Sequence, residues 1–164
     1  MNKVFKTARC TLRPLSKRDY SDVQIIYSDS TTRLFLGGVI ESDEFRVKFE
    51  NLMSSDDSFH WLVKEVSNGS LIGLVSLSKY HNQEDIEVSY QLLSSQFSKG
   101  YAFEVVKVLI DYSFLDLKHK RVLAETQSKN VRSINLLENL GFHLDSKLER
   151  FGEEQSIYVL SFQS

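Results

Sequence analysis

One hexapeptide, Phe97-Ser98-Lys99-Gly100-Tyr101-Ala102, has the residue types and spacing to handle an anion. A strand-like segment runs into it and a long helical pattern leaves it, so a glycine-bearing turn stands at a helix N-terminus. The first amides of a helix have no partner within it and point one way. The helix dipole adds partial positive charge behind them, which suits a phosphate or pyrophosphate. Gly100 lets the backbone approach a ligand closely, and Lys99 adds a cation at the mouth. The spacing is neither GxxxxGK[ST] nor GxGxxG, which disfavours both of those nucleotide-binding classes. Taken alone, the turn also fits a glycine that merely reverses the chain.

The elements that must position this turn are readable around it. Cys10-Thr-Leu-Arg-Pro14 alternates and reads as a strand ended by proline. Ser16 with Asp19 resembles a capping box ahead of a helical stripe at Tyr20, Val23, Ile26 and Tyr27. A second helix is expected from Ser42, with Phe45, Phe49, Leu52 and Met53 on one face. Between the two helices, Leu34-Phe-Leu-Gly-Gly reads as a loop. Phe59, Trp61 and Val63 alternate with His60, Leu62 and Lys64. Asn68-Gly69 then predicts a hairpin through a type I′ turn, followed by a return strand over Leu71 to Ser78. Glu84 to Leu93 reads as the next strand, and a buried helix extends from the Gly100 turn to about Leu117. Arg121 to Thr126 is a short strand. Asn130 to Leu140 is a helix stopped by Gly141, and two strands about Gly152 close the chain.

Composition bounds the rest. With 164 residues, 20 Lys+Arg against 22 Asp+Glu, and 41% apolar residues, one ordered domain over 1–164 is expected. A net charge of −2 gives no general attraction to nucleic acid or anionic membrane. The one cysteine, Cys10, excludes an internal disulfide and any CxxC site, and reads as a small buried hydrophobe. His60 reads as packed or hydrogen-bonded in its strand and His81 as exposed, and His119 and His143 lack acidic partners at metal spacing, so no metal is expected. The chain has no apolar run of membrane-spanning length. Its amino terminus lacks a signal-peptide core, so a cytoplasmic protein is expected.

At the Phe97–Ala102 turn the sequence resembles the GNAT N-acetyltransferase superfamily, whose pyrophosphate turn follows [QR]-x-x-G-x-[GA]. Phe97 replaces the polar first residue. An aromatic there, with Lys-Gly-Tyr-Ala after it, is similar to the branch that acetylates the N-terminal serine or alanine of ribosomal proteins. Arg9-Cys-Thr-Leu-Arg-Pro-Leu15, Ile86-Glu-Val-Ser-Tyr-Gln-Leu92 and Asn130-x-x-Ser133-x-x-x-Leu137-Glu138-x-x-Gly141-Phe142 fit the same branch. The resemblance covers about residues 8–162. It implies an α+β fold with a mostly antiparallel sheet of about seven strands and about four helices, splayed between the fourth and fifth strands. It also implies acetyl-CoA as cosubstrate. The pantetheine arm would lie against Tyr90, Gln91, Leu92 and Leu93, and the pyrophosphate on Phe97, Ser98, Lys99, Gly100, Tyr101 and Ala102.

The same resemblance implies the catalytic candidates. Glu87 stands where many members carry the carboxylate that deprotonates the amine, and Glu149 is a second base candidate. Glu87 also reads as an ordinary solvent-facing charge, and matching Glu149 requires a gap in the alignment of the last strands. Asn130 is an N-cap by position, and the family adds a bond to pantetheine. Ser133 would donate to the departing thiolate; its plainer reading is a first-turn helix residue. The tyrosine that many members place seven residues after this asparagine is Leu137 here. Phe35 and Phe49 are candidates to line an acceptor cleft, with the 31–40 loop and the two N-terminal helices over it. The leading expectation is acetyl transfer to a primary amine, namely a protein N-terminal α-amine. A small-molecule amine (antibiotic, polyamine or amino acid) and a non-catalytic CoA-binding regulatory module are the alternatives. A homodimer stays open.

Overall fold

The computed structural model describes residues 3–164. Its centre is an eight-stranded sheet in the order β1-β2-β3-β4-β5-β6-β8-β7. The strands are β1 (Phe5–Lys6), β2 (Cys10–Pro14), β3 (Ser58–Glu65), β4 (Leu71–Lys79), β5 (Ile86–Leu92), β6 (Arg121–Gln127), β7 (His143–Arg150) and β8 (Glu153–Ser161). The helices are α1 (Tyr20–Tyr27), α2 (Ser42–Ser54), α3 (Tyr101–Leu115) and α4 (Val131–Asn139). The expected count was one strand short because β1 has two residues, too few for any periodicity to register.

Every neighbouring pair in the sheet is antiparallel except β5 with β6. That parallel pair is held only at Ile86↔Val122 and Glu87↔Leu123. Beyond Glu87 the two strands part, although β5 stays paired with β4 to Leu92 and β6 with β8 to Gln127. The side of β5 that faces β6 is therefore a free edge from Val88 onward, with main-chain donors and acceptors left for a ligand. The splay lies where the resemblance puts it, one strand later in this numbering because of β1.

Alternation along the strands gives the two faces of the sheet different partners. Val75, Val88, Val122 and Ala124 pack with Val105, Val106 and Leu109 of α3 and Leu137 of α4. Trp61, fully buried, meets Phe5 and Tyr112 edge-on at 5.7 and 6.4 Å and donates from Nε1 to the Lys3 carbonyl at 2.8 Å. On the opposite face, Leu62 and Leu74 pack with Val23, Ile26, Tyr27, Phe45 and Phe49 from α1 and α2. Phe49 is thus core rather than cleft lining.

Local signals account for most boundaries. The Ser16–Asp19 capping box forms, with the Ser16 amide 2.7 Å from Asp19 Oδ2. Gly141, at φ 95°, stops α4. The β3–β4 connection departs from expectation. Only Gly69 has positive φ (71°); its amide reaches the Glu65 carbonyl at 2.9 Å and the Glu65 amide reaches Ser70 at 2.9 Å. A four-residue loop replaces the two-residue type I′ turn, because Asn68 instead spends its side chain on the Ser70 amide at 2.9 Å.

Candidate functional site

A cavity of about 670 Å³ opens where β5 and β6 part, within the range of small-ligand sites. Of the residues expected to bind the cosubstrate, Tyr90, Gln91, Leu92, Phe97, Ser98, Gly100, Tyr101, Ala102, Asn130 and Ser133 all line it. Leu93 and Lys99 do not. Leu93 packs into the α1–α2 core and bonds the Ile72 carbonyl at 2.9 Å. Lys99 is exposed, 3.4 Å from Gln96 Oε1.

The 97–102 turn has the geometry of an anion cradle. Gly100 caps α3 in the left-handed region at φ 81°, and Ser98 also has positive φ, 61°. The first bond of α3 runs from the Glu104 amide to the Gly100 carbonyl at 3.2 Å. Among the described residues, no protein acceptor takes the amides of Ser98 through Phe103. Such donors at a helix N-terminus fit a pyrophosphate. Arg9 lies beneath the turn, donating to the Lys99 carbonyl at 2.8 Å and stacking over Tyr101 at 4.2 Å. A Cβ on Gly100 would meet its Nη2 at 3.3 Å. Arg132, on the cavity wall, stacks over Phe97 at 4.0 Å, which gives the unusual aromatic at this position a contact.

At the throat of the wedge, Asn130 Oδ1 accepts the Ser133 amide at 3.2 Å and so caps α4 as expected. Ser133 Oγ is 2.5 Å from the hydroxyl of Tyr90, so the two hydroxyls bridge from β5 to α4. Burial pushes the Tyr90 phenol up to about 12, against the opposing effect of that hydrogen bond.

Glu87 sits at the last paired position of the β5–β6 ladder. Its cross-strand partners show that it faces the α1–α2 side, since Gln91 two pairs further on opposes Leu74. It is half-buried and is not among the cavity-lining residues. Burial first, and the charge of Glu125 second, push its carboxyl up to about 7, while a backbone bond from Glu125 and the charge of Arg150 pull it back. A carboxyl with this proton affinity is matched to proton abstraction near neutral pH.

Glu149 is not brought to the site. It is exposed on β7, opposite Glu154 near the Gly152 turn. Its neighbour Arg150 reaches inward instead, placing Nε 2.9 Å from Glu125 Oε1. Tyr80 donates to Glu125 Oε2 at 3.0 Å and accepts from Arg150 Nη2 at 3.1 Å, which closes a three-residue ring. Glu125 lines the cavity and was missed from sequence. Its signal was available: a carboxylate inside the apolar run Val122-Leu-Ala-Glu-Thr126 calls for a partner. Arg150 carried no comparable signal, because it is one charge among many in an exposed strand.

The 31–40 loop is fixed against the same strand end. Asp29 Oδ2 accepts the amide and hydroxyl of Ser94 at 2.9 and 2.7 Å, and Thr32 donates to the Leu92 carbonyl at 2.7 Å. Arg33 bonds Gln91 Oε1 at 2.9 Å and stacks over Tyr27 at 4.6 Å. This lays Leu34, Phe35 and Leu36 over the cavity, as expected for Phe35. His60 is occupied by Ser58 and Ser76 at 3.0 and 2.6 Å, and burial lowers it to about 4, so it is an uncharged structural residue. Cys10 is fully buried, which pushes its thiol up to about 11. Among the described residues, no three His, Cys, Asp or Glu side chains converge as a metal site. No helix among them is long and apolar enough to cross a membrane.

The profile of the acetyltransferase (GNAT) domain matches residues 9–143. The Bacillus subtilis N-acetyltransferase YnaD is 24% identical over 135 residues, spanning 82% of this chain and 79% of that one. Spermidine N-acetyltransferase from Vibrio cholerae, solved with CoA and spermine, superposes with a TM-score of 0.79 at 20% identity, covering 93% of this chain and 95% of that one. A ribosomal-protein-alanine acetyltransferase from Vibrio fischeri superposes equally well, at 0.79 and 20% identity, covering 98% and 97%.

Proposed function

Because the chain belongs to the GNAT family of N-acetyltransferases, we propose that it moves the acetyl group of acetyl-CoA onto a single α-amine at a protein N-terminus. The observation that carries the cosubstrate assignment is the run of unpartnered amides at Ser98–Phe103 beside the free edge of β5. A pyrophosphate and a pantetheine amide chain need these two sets of groups, and they open into one cavity.

Acetyl-CoA supplies an activated acyl group on a thiolate leaving group. The chain supplies position and proton handling. The turn holds the pyrophosphate, and Tyr90, Gln91 and Leu92 line the path of the pantetheine arm. Glu87, ionised above about pH 7 and set back from the cavity wall, takes through water the proton that the amine sheds. Ser133 faces the departing sulfur from the first turn of α4. Two known folds of similar shape act on different amines, so the acceptor is argued from this chain alone. Among the described residues, Glu125 is the only carboxylate on the cavity wall, and Leu34, Phe35 and Leu36 form its rim. A wall whose one carboxylate is already paired with Arg150, under an apolar rim, suits a single amine carried by a peptide. A polyamine, with three or four cations, calls for several carboxylates.

The test is thiol release with a panel of acceptors. Peptides with Ser, Ala or Thr amino termini are expected to exceed spermidine by at least tenfold in kcat/KM. Preference for spermidine would overturn the acceptor, and absence of release with every amine would favour the regulatory alternative.

A further inference from the structure

On the acetyl-CoA reading above, we propose that Tyr90 is the positioning residue for Ser133, holding its hydroxyl as a donor to the sulfur that leaves. The two oxygens are 2.5 Å apart across the wedge, one from β5 and one from the first turn of α4. The Tyr90 phenol is Ser133 Oγ's one hydrogen-bond partner among the described residues. An isolated serine hydroxyl rotates and is a weak acid. One that accepts a phenol's hydrogen bond has its own proton directed elsewhere, and each bond in such a chain polarises the next. Burial pushes the Tyr90 phenol up to about 12, so it keeps a proton to donate to Ser133 Oγ.

The backbone fixes both ends. The Ser133 amide is tied to Asn130 Oδ1, and Tyr90 lies on a strand still fully paired to β4 through Val75. Leu137, one turn along α4 from Ser133, is 1% exposed and offers no donor, so the hydroxyl beside Ser133 comes from the opposite wall. In the transfer the amine nitrogen forms a bond to the acetyl carbonyl carbon, and the carbon–sulfur bond breaks with its electron pair on sulfur. The amine's surplus proton goes to Glu87. The thiolate accepts the Ser133 hydrogen bond and takes a proton from solvent after release.

The experiment measures the thiol pKa of bound CoA by thiolate absorbance, in wild type, Tyr90→Phe, Ser133→Ala and the double variant. Steady-state kinetics and CoA calorimetry accompany it. Tyr90→Phe is expected to raise the bound thiol's pKa by about one unit and lower kcat about tenfold, the low end for a hydrogen bond to a charged group. KM for acetyl-CoA is expected to stay within about twofold. In the Ser133→Ala background the same change is expected to do less than twofold, because the route through serine is already gone. Additive effects on kcat, or an unmoved thiol pKa, would overturn the assignment. CoA binding with an unmoved thiol pKa defeats this inference alone, whereas failure of wild type to bind CoA defeats the cosubstrate reading beneath it.

Discussion

Arg150 Nε stands 2.9 Å from Glu125 Oε1, reaching from β7 past β8 to β6. The pair sits beside Glu87, and its two members act on that carboxyl in opposite directions. Glu125 raises its proton affinity and Arg150 lowers it, on top of the larger effect of burial. The strand order makes this possible. Because β8 lies between β6 and β7, the end of the terminal hairpin delivers a cation to the apex of the β5–β6 wedge. The raised proton affinity of Glu87 is therefore a property of three strands rather than of one residue.

Activity should rise with pH through about 7, following ionisation of Glu87. Replacing Glu125 by Gln removes the like charge, so the rising limb should move to lower pH by about half a unit or more. Arg150→Gln should move it the other way. Glu149→Ala, on the exposed face of β7, should leave the profile in place. The pH dependence of kcat/KM in the four proteins checks all of these.

The same carboxyl should make the fold less stable at high pH. Its pKa in the folded chain is about 7 against an ordinary value of 4.5, so its favourable contribution is complete below 4.5 and is lost as pH rises to 7. Glu87→Gln should therefore raise the melting temperature at pH 8 and leave it nearly unchanged at pH 4. The limit is about 3 kcal/mol at 1.36 kcal/mol per unit. Equal melting shifts at both values would contradict the buried-acid assignment.

Asp29 has the reverse linkage. Burial pushes its carboxyl up, but the bonds from Ser94 and Thr32 outweigh it and hold it at about 2, against 3.8 ordinarily. Its contribution is present above 3.8 and is lost as pH falls towards 2. Asp29→Asn should cost about 1–2 kcal/mol at pH 7, and the cost should fade in acid. Since Asp29 ties the 31–40 loop to the end of β5, the variant should also raise KM for the amine more than KM for acetyl-CoA.

Substitution of Gly100 separates strain from charge. Its φ of 81° penalises any side chain, by about 1 kcal/mol, in both Gly100→Ala and Gly100→Asp. Only aspartate also repels phosphate from the amides. Acetyl-CoA affinity should fall several-fold in the first and beyond detection in the second, with similar melting temperatures. Equal affinities would remove the pyrophosphate from this turn.

The parts legible in sequence were local. The Gly100 turn, the Asn130 cap and the Gly141 stop each rest on a conformational requirement that one or two residues announce. The hairpin at Asn68 was misread because two turn types accept the same dipeptide, and side-chain bonding to Ser70 decided between them. The ring of Tyr80, Glu125 and Arg150 was invisible because its members lie 45 and 25 residues apart, on strands whose order is set by the fold. The Tyr90–Ser133 bridge spans 43 residues for the same reason. Periodicity shows that Tyr90 shares a face with Val88, but not that α4 begins opposite it.

The most direct measurement is calorimetric titration of the full chain with acetyl-CoA, with ATP and NAD as controls. One-to-one micromolar binding of acetyl-CoA alone is predicted from the amides of Ser98–Phe103 and the free edge of β5. A folded sample that gives no heat with acetyl-CoA, or binds all three alike, would contradict the wedge as its site.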